Sequence, residues 1–293
     1  MRLDDNWCDR AKDMLPDGNY LVASLDRQYK YDELTGFDFV ASCTTGTDHI
    51  DNRDIPLISL KGDPFLRGVY ATAEHTFALI LSLLRKVPAA HNHVCQGGFD
   101  RELFQGEELR GKTLGIVGKG RVGQQVYGIA QAFGMNIVWV DRKGKFSKVL
   151  DHDYDLSDVL RESDILTVHV PLNDTTRGMF SAVEFAQMKP TAYFINTSRG
   201  AVVDEEALLD ALQSGRIRGA ALDVFRDEPR IHEGLREYAK THSNLILTPH
   251  LGGNTRESRE KTQAHLAQKI TDFLGGGFDV NTRHRQNGKS DIP

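Results

Sequence analysis

The stretch "TLGIVGKGRVGQQVYGIAQAFG" (113–134) decides how the rest of this chain is interpreted. A short apolar run leads into three glycines, Gly118, Gly120 and Gly123, and apolar residues at helical spacing then continue to Gly134. The pattern predicts a strand, a tight turn and a helix. In such a turn the first glycine allows the bend, and the second lets a pyrophosphate approach the backbone. The third permits close helix packing, and the helix amino end faces the anion.

A second feature supports this interpretation, since glycine turns also occur by chance. Asp141 follows the strand candidate "NIVWV" (136–140), 18 residues beyond Gly123. A carboxylate at that place can bind the adenosine ribose hydroxyls, and it repels a 2′-phosphate. NAD is therefore favoured over NADP, although the following Arg142 and Lys143 keep NADP open as an alternative. The simpler alternative for Asp141 is a solvated acid at a strand end.

Strands and helices alternate after residue 113, which predicts an α/β fold with a doubly wound parallel sheet. Helices are predicted at 71–87, from about Asp158, at 204–215 with Asp204 as N-cap, and at about 255–274. Shorter βα-like pieces occupy residues 20–60. The further strand candidates are "DILTVHV" (164–170), "AYFIN" (192–196), "GAALDV" (219–224) and "LILT" (245–248).

Composition excludes several classes of protein. The chain has 293 residues, a net charge of −5 and no long basic run, so we expect no nucleic-acid partner. Its longest uncharged apolar stretch (76–84) is too short to span a bilayer, and residues 1–10 lack an apolar signal core. Three cysteines, an odd and sparse set, are typical of reduced thiols. We therefore expect a cytoplasmic protein with no membrane partner.

Three later segments place polar side chains directly after predicted strands. Arg199 follows "AYFIN", Asp223 and Glu228 lie in or after "GAALDV", and His250 follows "LILT". Parallel strands end at the same edge of a sheet, where open α/β sheets bind ligands. An arginine can clamp a carboxylate, a histidine can exchange a proton near neutral pH, and a nearby carboxylate can orient that histidine. Together these groups are what hydride transfer at a 2-hydroxy acid requires.

Each of these residues also has a simpler explanation. Arg199 could neutralise adjacent acids, Glu228 could be a solvated turn acid, and His250 could be a polar loop residue. Elsewhere, His91, His93 and Cys95 have a spacing that invites a metal interpretation. That spacing suits a strand, whereas the stretch continues a helix into a loop, so no metal site is expected.

Several ordered motifs give a more specific indication. The chain resembles the D-isomer-specific 2-hydroxyacid dehydrogenase family from about residue 37 to 275, and most closely its phosphoglycerate dehydrogenase branch. The motifs are "GTDHID" (46–51), "AEHTFALILSLLRKVP" (73–88), "ELRGKTLGIVGKGRVG" (108–123), "VHVPLNDTTRGMF" (168–180), "KPTAYFINTSRGAVVDEEAL" (189–208), "GAALDVFRDEP" (219–229) and "NLILTPHLGG" (244–253).

The resemblance implies two domains. An NAD-binding Rossmann domain is expected at 72–252. A smaller, flavodoxin-like α/β substrate domain is expected to be discontinuous, at 1–71 and 253–293. Members of the family are usually homodimers, with the region around residues 71–91 in the interface.

The resemblance also implies roles for individual residues. Arg199 is expected to hold the substrate carboxylate and its carbonyl or hydroxyl oxygen. His250 is expected to be the general acid/base, and Glu228 its partner. The backbone at Thr45 and Gly46 is expected to contact the substrate carboxylate, and Asp223 to face the nicotinamide carboxamide. The expected cofactor pocket comprises Thr76, Gly118, Gly120, Arg121, Val122, Gly123, Asp141, Val170, Thr197, Asp223 and Gly252. For Thr76, simple helix packing is an alternative.

The front of the chain departs from the family pattern. Only about 45 residues precede "GTDHID", so the first βα unit is expected to be missing or reduced to residues 1–18. Relatives often place a basic substrate contact after the second strand, where this chain has Asp26 and Arg27. Arg53, Lys61 and Arg67 could contact a substrate phosphate or could be surface charges.

The resulting prediction is an NAD-dependent oxidoreductase that acts on a D-2-hydroxy or 2-keto acid, most like phosphoglycerate dehydrogenase. Reduction of glyoxylate, hydroxypyruvate or another 2-keto acid is the alternative within the same chemistry. A non-catalytic NAD-binding protein, similar to corepressors of this fold or a relic without turnover, is the alternative from another class.

Overall fold

The computed structural model describes residues 1–4, 6–25, 27–141, 148–149, 152–153 and 155–276. Asp26, Arg142, Lys143 and the tail beyond residue 276 lie outside the described residues. The chain divides into two compact units, one formed by Met1–Val69 with Thr255–Pro293 and the other by Tyr70–Asn254. The second unit is therefore one continuous segment of the sequence, and it separates the two segments that form the first unit.

The first unit contains a four-stranded parallel sheet with the order β1-β2-β3-β4. Strand β1 and helix α1 form a βα unit confined to the first twelve residues. The first βα unit that the family resemblance predicts is therefore present in reduced form. The elements are β1 (Arg2–Leu3), α1 (Asp9–Lys12), β2 (Tyr20–Val22), α2 (Tyr31–Leu34), β3 (Phe39–Ser42) and β4 (Leu57–Ser59).

The second unit contains a six-stranded sheet and most of the helices. Its elements are α3 (Ala71–Leu84), α4 (Val87–Cys95), β5 (Thr113–Val117), α5 (Arg121–Ala132), β6 (Asn136–Val140), β7 (Lys148–Val149), β8 (His152–Asp153), α6 (Leu156–Glu162), β9 (Ile165–Val168), α7 (Ala182–Gln187), β10 (Tyr193–Asn196), α8 (Glu205–Gln213), β11 (Gly219–Leu222), α9 (Glu233–Thr241) and β12 (Leu245–Leu247). The chain then returns to the first unit as α10 (Arg256–Leu274).

The six-stranded sheet has the order β12-β11-β10-β9-β5-β6, and all its pairs are parallel. The chain runs outward from β5 to β6 and returns to the other side of β5 as β9. The order therefore reverses between β5 and β9, and open sheets of this kind bind ligands at such a reversal. The predicted doubly wound fold is confirmed.

Both faces of this sheet are covered, as its nearly continuous apolar strands predict. Alternate residues of each strand enter opposite hydrophobic clusters. On β10, Phe194 joins the cluster that includes Phe180 and Leu208, while Ile195 joins the one that includes Phe77 and Val126. Every residue of β9, β10 and β11 is buried. The sheet is thus a rigid support for whatever its loops hold.

Some predicted helices begin or end at other residues than expected. The helix predicted at 71–87 ends at Leu84, because Lys86 adopts a left-handed conformation with φ of 53° and separates it from α4. Helix α6 begins two residues before Asp158, because Asp155 caps it by accepting from the Asp158 amide. Helices α7 and α9 are not part of the sequence prediction. No helix in the described part of the chain has the length and apolar character to cross a membrane.

The core of the first unit joins both ends of the chain. Trp7 and Tyr20 pack in one cluster with Leu266, Ala267 and Ile270 of α10. Beside this cluster, the Asp63 carboxylate accepts hydrogen bonds from His265 and Lys269, each at 3.0 Å. Lys269 also donates to the carbonyl of Ser59 at 3.0 Å. These bonds attach α10 to the end of the first sheet.

We expect Asp63→Asn to weaken the first unit. Burial alone would raise the pKa of Asp63, but bonds from His265, Lys269 and the Phe65 amide outweigh it and lower the pKa from 3.8 to about 2. Folding thus favours the charged form, by on the order of 2 kcal/mol. This stabilisation is complete above the unfolded pKa of 3.8 and is lost as the pH falls through about 2.

Urea unfolding followed by the fluorescence of Trp7, in a Trp139→Phe background, measures this effect. The expected loss at pH 7 is about 1–2 kcal/mol, and the difference between the two proteins should vanish at strongly acid pH. Asp13→Asn is the matched control, since Asp13 is an exposed acid of the same unit. Equal effects of the two substitutions would contradict the assignment.

Candidate functional site

The register of the six-stranded sheet brings five loops to one edge. Val117 pairs with Val168, Val168 with Asn196, Asn196 with Leu222, and Leu222 with Leu247. These residues form one row across the sheet and stand at or near the carboxyl ends of their strands. Each loop that follows the row contains residues predicted for the site.

The glycine turn fits a dinucleotide. Gly118 has φ of +95°, and a Cβ there would lie 2.8 Å from the backbone of His169. A Cβ on Gly123 would lie 2.2 Å from the carbonyl oxygen of Gly118. A Cβ on Gly120 would meet nothing within 4 Å, although Gly120 is the N-cap of α5. Two of the glycines therefore serve the protein's own packing, and Gly120 faces open space where a phosphate can approach the helix amino end.

Asp141 directly follows β6, which ends at Val140, and is partly buried. Lys119, between the first two glycines, lies over the rings of Tyr127 and Trp139 at 4.0 and 4.1 Å. Burial lowers the pKa of the Lys119 ammonium, and the charge of Asp141 opposes that shift. The carboxylate of Asp141 thus has a cation in its electrostatic surroundings.

The other predicted cofactor residues near the turn are Arg121 and Val122, at the start of α5, and Val170, after β9. All three are partly buried. Burial lowers the pKa of the Arg121 guanidinium below its ordinary value. Val170 packs beside Gly118, because a Cβ on that glycine would lie 2.9 Å from its Cγ1.

Arg199 lies in a loop that the buried Asn196 side chain organises. The Asn196 amide donates to the carbonyl of Arg199 at 3.0 Å, and its oxygen accepts from the amide and the hydroxyl of Ser198. The guanidinium of Arg199 donates to the Ser198 carbonyl at 2.9 Å, and the side chain is partly exposed. The arginine is thereby held at the sheet edge by a fixed turn.

His250 and Glu228 form a direct pair, as the sequence predicts. His250 Nδ1 lies 2.7 Å from Glu228 Oε2, and both side chains are about one quarter exposed. The other carboxylate oxygen of Glu228 accepts from the Phe225 amide at 2.8 Å. His250 has φ of +54°, a left-handed conformation that is uncommon outside glycine and is typical of functional sites.

The loop that contains Glu228 is fixed from two sides. The buried carboxylate of Glu205 accepts from the Arg226 amide at 2.8 Å. On the other side, a Cβ on Gly200 would lie 1.8 Å from the carbonyl carbon of Phe225, so the two backbones are in direct contact. Because Gly200 follows Arg199, this close approach also brings the Arg199 loop against the loop of Glu228.

Asp223 is only 1% exposed and accepts four hydrogen bonds. Its Oδ1 accepts from Thr248 Oγ1 at 2.6 Å and the Leu251 amide at 2.7 Å, and lies 3.1 Å from His75 Nε2. Its Oδ2 accepts from the Gly252 amide at 2.8 Å. Burial would raise the pKa of Asp223, but bonds from His75, Thr248 and Leu251 outweigh it and lower the pKa. The carboxylate is therefore charged and fixed near His250.

Thr76 and Thr197 meet in the same unit. The Thr76 hydroxyl donates to the Thr72 carbonyl at 2.8 Å and lies 3.0 Å from the Thr197 hydroxyl. Thr76 is completely buried, and Thr197 is 7% exposed. Thr76 therefore contacts Thr197 from within the core. This position agrees with the alternative that Thr76 is a packing residue of the helix.

The residues other than Arg199 that are predicted for substrate contact lie in the first unit. Thr45 is exposed and Gly46 partly buried, in a turn where Thr44 Oγ1 donates to the Gly46 carbonyl at 2.7 Å. Arg53 pairs with Asp51 at 3.3 Å, and Arg27 pairs with Glu33 at 2.6 Å. Lys61 and Arg67 are exposed. The turn at Thr44–Gly46 is thus fixed by its own side chain.

The structure adds residues that the sequence analysis did not select. His75, Asn196 and Glu205 each hold a loop of the site through hydrogen bonds with residues distant in sequence or on the same turn. His169 follows β9, and burial lowers its pKa from 6.5 to about 3, so its ring is neutral at physiological pH. Only Asn196 lies in a position, at a predicted strand end, that the search for strand-end polar residues could have found.

The stretch considered for a metal lies on α4 and does not leave the helix before Cys95. His91 Nε2 lies 3.6 Å from Cys95 Sγ, while His93 accepts from the Asp100 amide at 3.3 Å. Among the residues that the structure describes, no three or more His, Cys, Asp or Glu side chains are placed to hold a metal ion.

Comparison with known families gives a match for most of the second unit. Residues 77–252 match the family model described as D-isomer specific 2-hydroxyacid dehydrogenase, NAD binding domain. The matched range includes the glycine turn, Asp141, Arg199, Asp223, Glu228 and His250. The expected cofactor, NAD, agrees with this description.

Individual relatives show similarity over more of the chain than this range. A D-3-phosphoglycerate dehydrogenase of Synechocystis is 38% identical over 234 residues, 78% of this chain and 42% of that protein. A glyoxylate reductase of Aeropyrum pernix is 42% identical over 226 residues, 74% of this chain and 67% of the relative. Among solved structures, D-lactate dehydrogenase from Aquifex aeolicus in complex with NAD and lactic acid has a TM-score of 0.76 at 26% identity. The match covers 92% of this chain and 87% of the dehydrogenase chain. The chain thus spans less than half of the Synechocystis enzyme.

Gly120 offers a direct test of the cradle. We expect Gly120→Ala to leave stability nearly unchanged, because its Cβ meets no protein atom. The added methyl would project toward the bound pyrophosphate, and overpacking of about 1–3 kcal/mol should raise the NADH dissociation constant about tenfold or more. Titration of NADH fluorescence and thermal unfolding measure the two effects.

Gly128→Ala is the matched control on the same helix, at an exposed position that also has open space. It should stabilise the protein by about 0.5–1 kcal/mol, since alanine favours helix over glycine, and leave the NADH affinity unchanged. Unaltered NADH binding in Gly120→Ala would show that the phosphates do not lie at this turn.

Proposed function

The chain belongs to the D-isomer specific 2-hydroxyacid dehydrogenase family, and on this premise we propose that it is an NAD-dependent oxidoreductase acting on a D-2-hydroxy or 2-keto acid. The observation that supports this most is the pair of His250 Nδ1 and Glu228 Oε2, 2.7 Å apart at the edge of the sheet that also presents Arg199. This pair favours an enzyme over a non-catalytic NAD-binding protein.

His250 is the general acid/base in this proposal. Glu228 is an acceptor, so His250 Nδ1 bears the proton that points to it, and Nε2 of the neutral ring keeps its lone pair. Nε2 takes the hydroxyl proton when the hydroxy acid is oxidised and returns a proton to the carbonyl oxygen in reduction. Glu228 stabilises the imidazolium that forms.

Arg199 binds the substrate. A guanidinium can donate two parallel hydrogen bonds to a carboxylate, and it also polarises a carbonyl oxygen. The turn organised by Asn196 positions the arginine beside the loop of Glu228, which supports a common substrate for Arg199 and His250. The backbone amides near Thr45 and Gly46 are proposed as a further contact for the carboxylate.

Bound NAD⁺ would supply the acceptor for the hydride of C2 of the hydroxy acid. Gly118, Gly120 and Gly123 would hold its pyrophosphate, with Arg121 and Val122 at the helix amino end, and Asp141 its ribose hydroxyls. Asp223 and Gly252, with Thr197 supported by Thr76, would bind its carboxamide end, and Val170 would contact the ring system. The open space at Gly120 and the charged Asp223 fit these roles.

The proposed substrate is a 3-phosphoglycerate-type hydroxy acid, with glyoxylate or hydroxypyruvate as the alternative. The relatives support both, since the most similar include D-3-phosphoglycerate dehydrogenases and a glyoxylate reductase of 42% identity. Lys61 and Arg67, which are exposed in the first unit, are proposed as contacts for the phosphate. We assign the substrate domain to that unit and the NAD-binding domain to the second.

We further propose a cytoplasmic homodimer. All three cysteines are free thiols, which is typical of a reducing compartment. An apolar surface on α4 and the segment after it, defined by Val87, Val94, Phe99 and Leu103, is exposed, and Phe99 is 95% accessible. Exposed apolar side chains in one segment mark interaction sites. This surface overlaps the region where the family resemblance places the dimer interface.

The activity is tested by following NADH at 340 nm with 3-phosphoglycerate, 3-phosphohydroxypyruvate, hydroxypyruvate and glyoxylate. One acid should be turned over. His250→Gln should lower kcat/KM by about 10²–10⁴-fold through loss of general acid/base catalysis. Arg199→Lys should raise KM, since lysine cannot form the bidentate contact.

Arg230→Lys is the control for Arg199→Lys, because Arg230 is exposed in the loop after Glu228. It should have wild-type kinetics. Turnover of none of the acids despite tight NADH binding would contradict the proposed activity, and full turnover in His250→Gln would contradict its mechanism.

The dimer is tested by Phe99→Asp with Leu103→Asp. A charge on each apolar side chain should dissociate the dimer, which light scattering coupled to gel filtration would detect as a halved mass. Val183→Asp is the control, since Val183 is exposed on α7, away from this segment. A wild-type mass in the double variant would show that another surface joins the subunits.

A further inference from the structure

His75 lies on α3, one turn from the amino end of the helix, in contact with the site. Its Nε2 is 3.1 Å from Asp223 Oδ1 and 3.2 Å from Thr248 Oγ1. The side chain is 18% exposed. Nothing in the mechanism proposed above uses it.

The neighbours of His75 decide which of its nitrogens bears the proton. The Thr248 hydroxyl donates to Asp223 Oδ1 at 2.6 Å, so the lone pairs of Thr248 Oγ1 face the ring. Asp223 is a carboxylate and can only accept. Both partners of His75 Nε2 are therefore acceptors, and Nε2 bears a hydrogen that it shares between them. His75 thus has the tautomer opposite to that of His250, whose Nδ1 donates to Glu228.

Asp223, which His75 contacts, fixes the turn at His250. Its backbone carbonyl accepts from the His250 amide at 2.8 Å, and its carboxylate accepts from the next two amides, of Leu251 and Gly252. Three consecutive amides are thus oriented by one residue. The left-handed conformation of His250, an uncommon one for histidine, depends on these bonds.

We propose that His75 is a positioning residue, whose Nε2–H fixes the Asp223 carboxylate and, through it, both the cofactor contacts of Asp223 and the turn at His250. The part that concerns His250 rests on the proposed activity, and the part that concerns the cofactor rests only on the proposed contact of Asp223 with NAD. A carboxylate that is 1% exposed needs its donors, because a buried acceptor that loses one is left without solvent to replace it.

Two substitutions separate positioning from packing. His75→Gln keeps an N–H donor the same number of bonds from Cβ as His Nε2, whereas His75→Leu keeps apolar volume and removes the donor. If the bond matters, His75→Leu should raise the NADH dissociation constant about tenfold, as expected for a lost hydrogen bond to a charged group. His75→Gln should restore most of the affinity.

His232→Leu is the matched control within the same unit. Its Nε2 also lies near a carboxylate, 2.8 Å from Glu206 Oε1, and its Nδ1 accepts from the Leu235 amide at the start of α9. This variant should lower the melting temperature without changing the affinity for NADH. NADH titration by fluorescence and thermal unfolding are measured for all three variants.

A spectroscopic signature tests the proton assignment without ligand or turnover. Two-dimensional ¹⁵N–¹H spectra of the histidine rings at neutral pH and above should show one ring protonated at Nε2 that is absent from His75→Gln. A second ring, protonated at Nδ1, should be absent from His250→Gln. Observation of the Nδ1–H form for His75 would overturn the proposal.

The remaining outcomes are also decisive. Equal affinity for NADH in His75→Leu and the wild type would overturn the proposal, and so would equal loss in His75→Gln and His75→Leu. Because these are binding measurements, they stand even if no hydroxy acid is turned over. Absence of turnover with intact effects on NADH binding would contradict only the proposed activity.

Discussion

One row of parallel pairs, from Val117 through Val168, Asn196 and Leu222 to Leu247, determines where the chemistry of this protein can lie. A slip of any strand by one residue would move its side chains to the other face and displace the loop beyond it. The row is protected because it lies between two hydrophobic clusters that cover both faces of the sheet. Loops that differ in sequence therefore reach one edge with a fixed spacing.

Beyond that edge, the conformations of the loops are fixed by hydrogen bonds to buried polar side chains. Asn196, Glu205 and Asp223 each accept hydrogen bonds from backbone amides of loops that contain a predicted functional residue. Burying such groups is unfavourable unless their hydrogen bonds are made, so each one strongly favours a single loop conformation. The site consequently combines two kinds of constraint, an apolar one for position and a polar one for orientation.

The sequence predicts the elements of this arrangement better than their contacts. The strands, the glycine turn and the pair of Glu228 and His250 follow from local patterns, because strand ends in a parallel sheet must meet. The contact of His75 with Asp223 does not follow from a local pattern, because the two residues are 148 positions apart. His75 also lies in an apolar helix whose sequence predicts only a buried packing role. The break at Lys86 and the early start of α6 depend on single conformations, a left-handed residue and an aspartate cap, that periodicity does not detect.

The insertion of one unit within the other has a consequence for synthesis on the ribosome. Residues 70–254 form a continuous segment whose two clusters are complete once its last strand has emerged. The cluster of the first unit that contains Trp7 and Tyr20 also requires Leu266, Ala267 and Ile270. It therefore cannot form until α10 has been synthesised. The face of its amino-terminal sheet that packs against α10 therefore stays uncovered until that helix has been synthesised, a condition that favours aggregation. Vectorial synthesis thus orders the two units in time, with the inner one first.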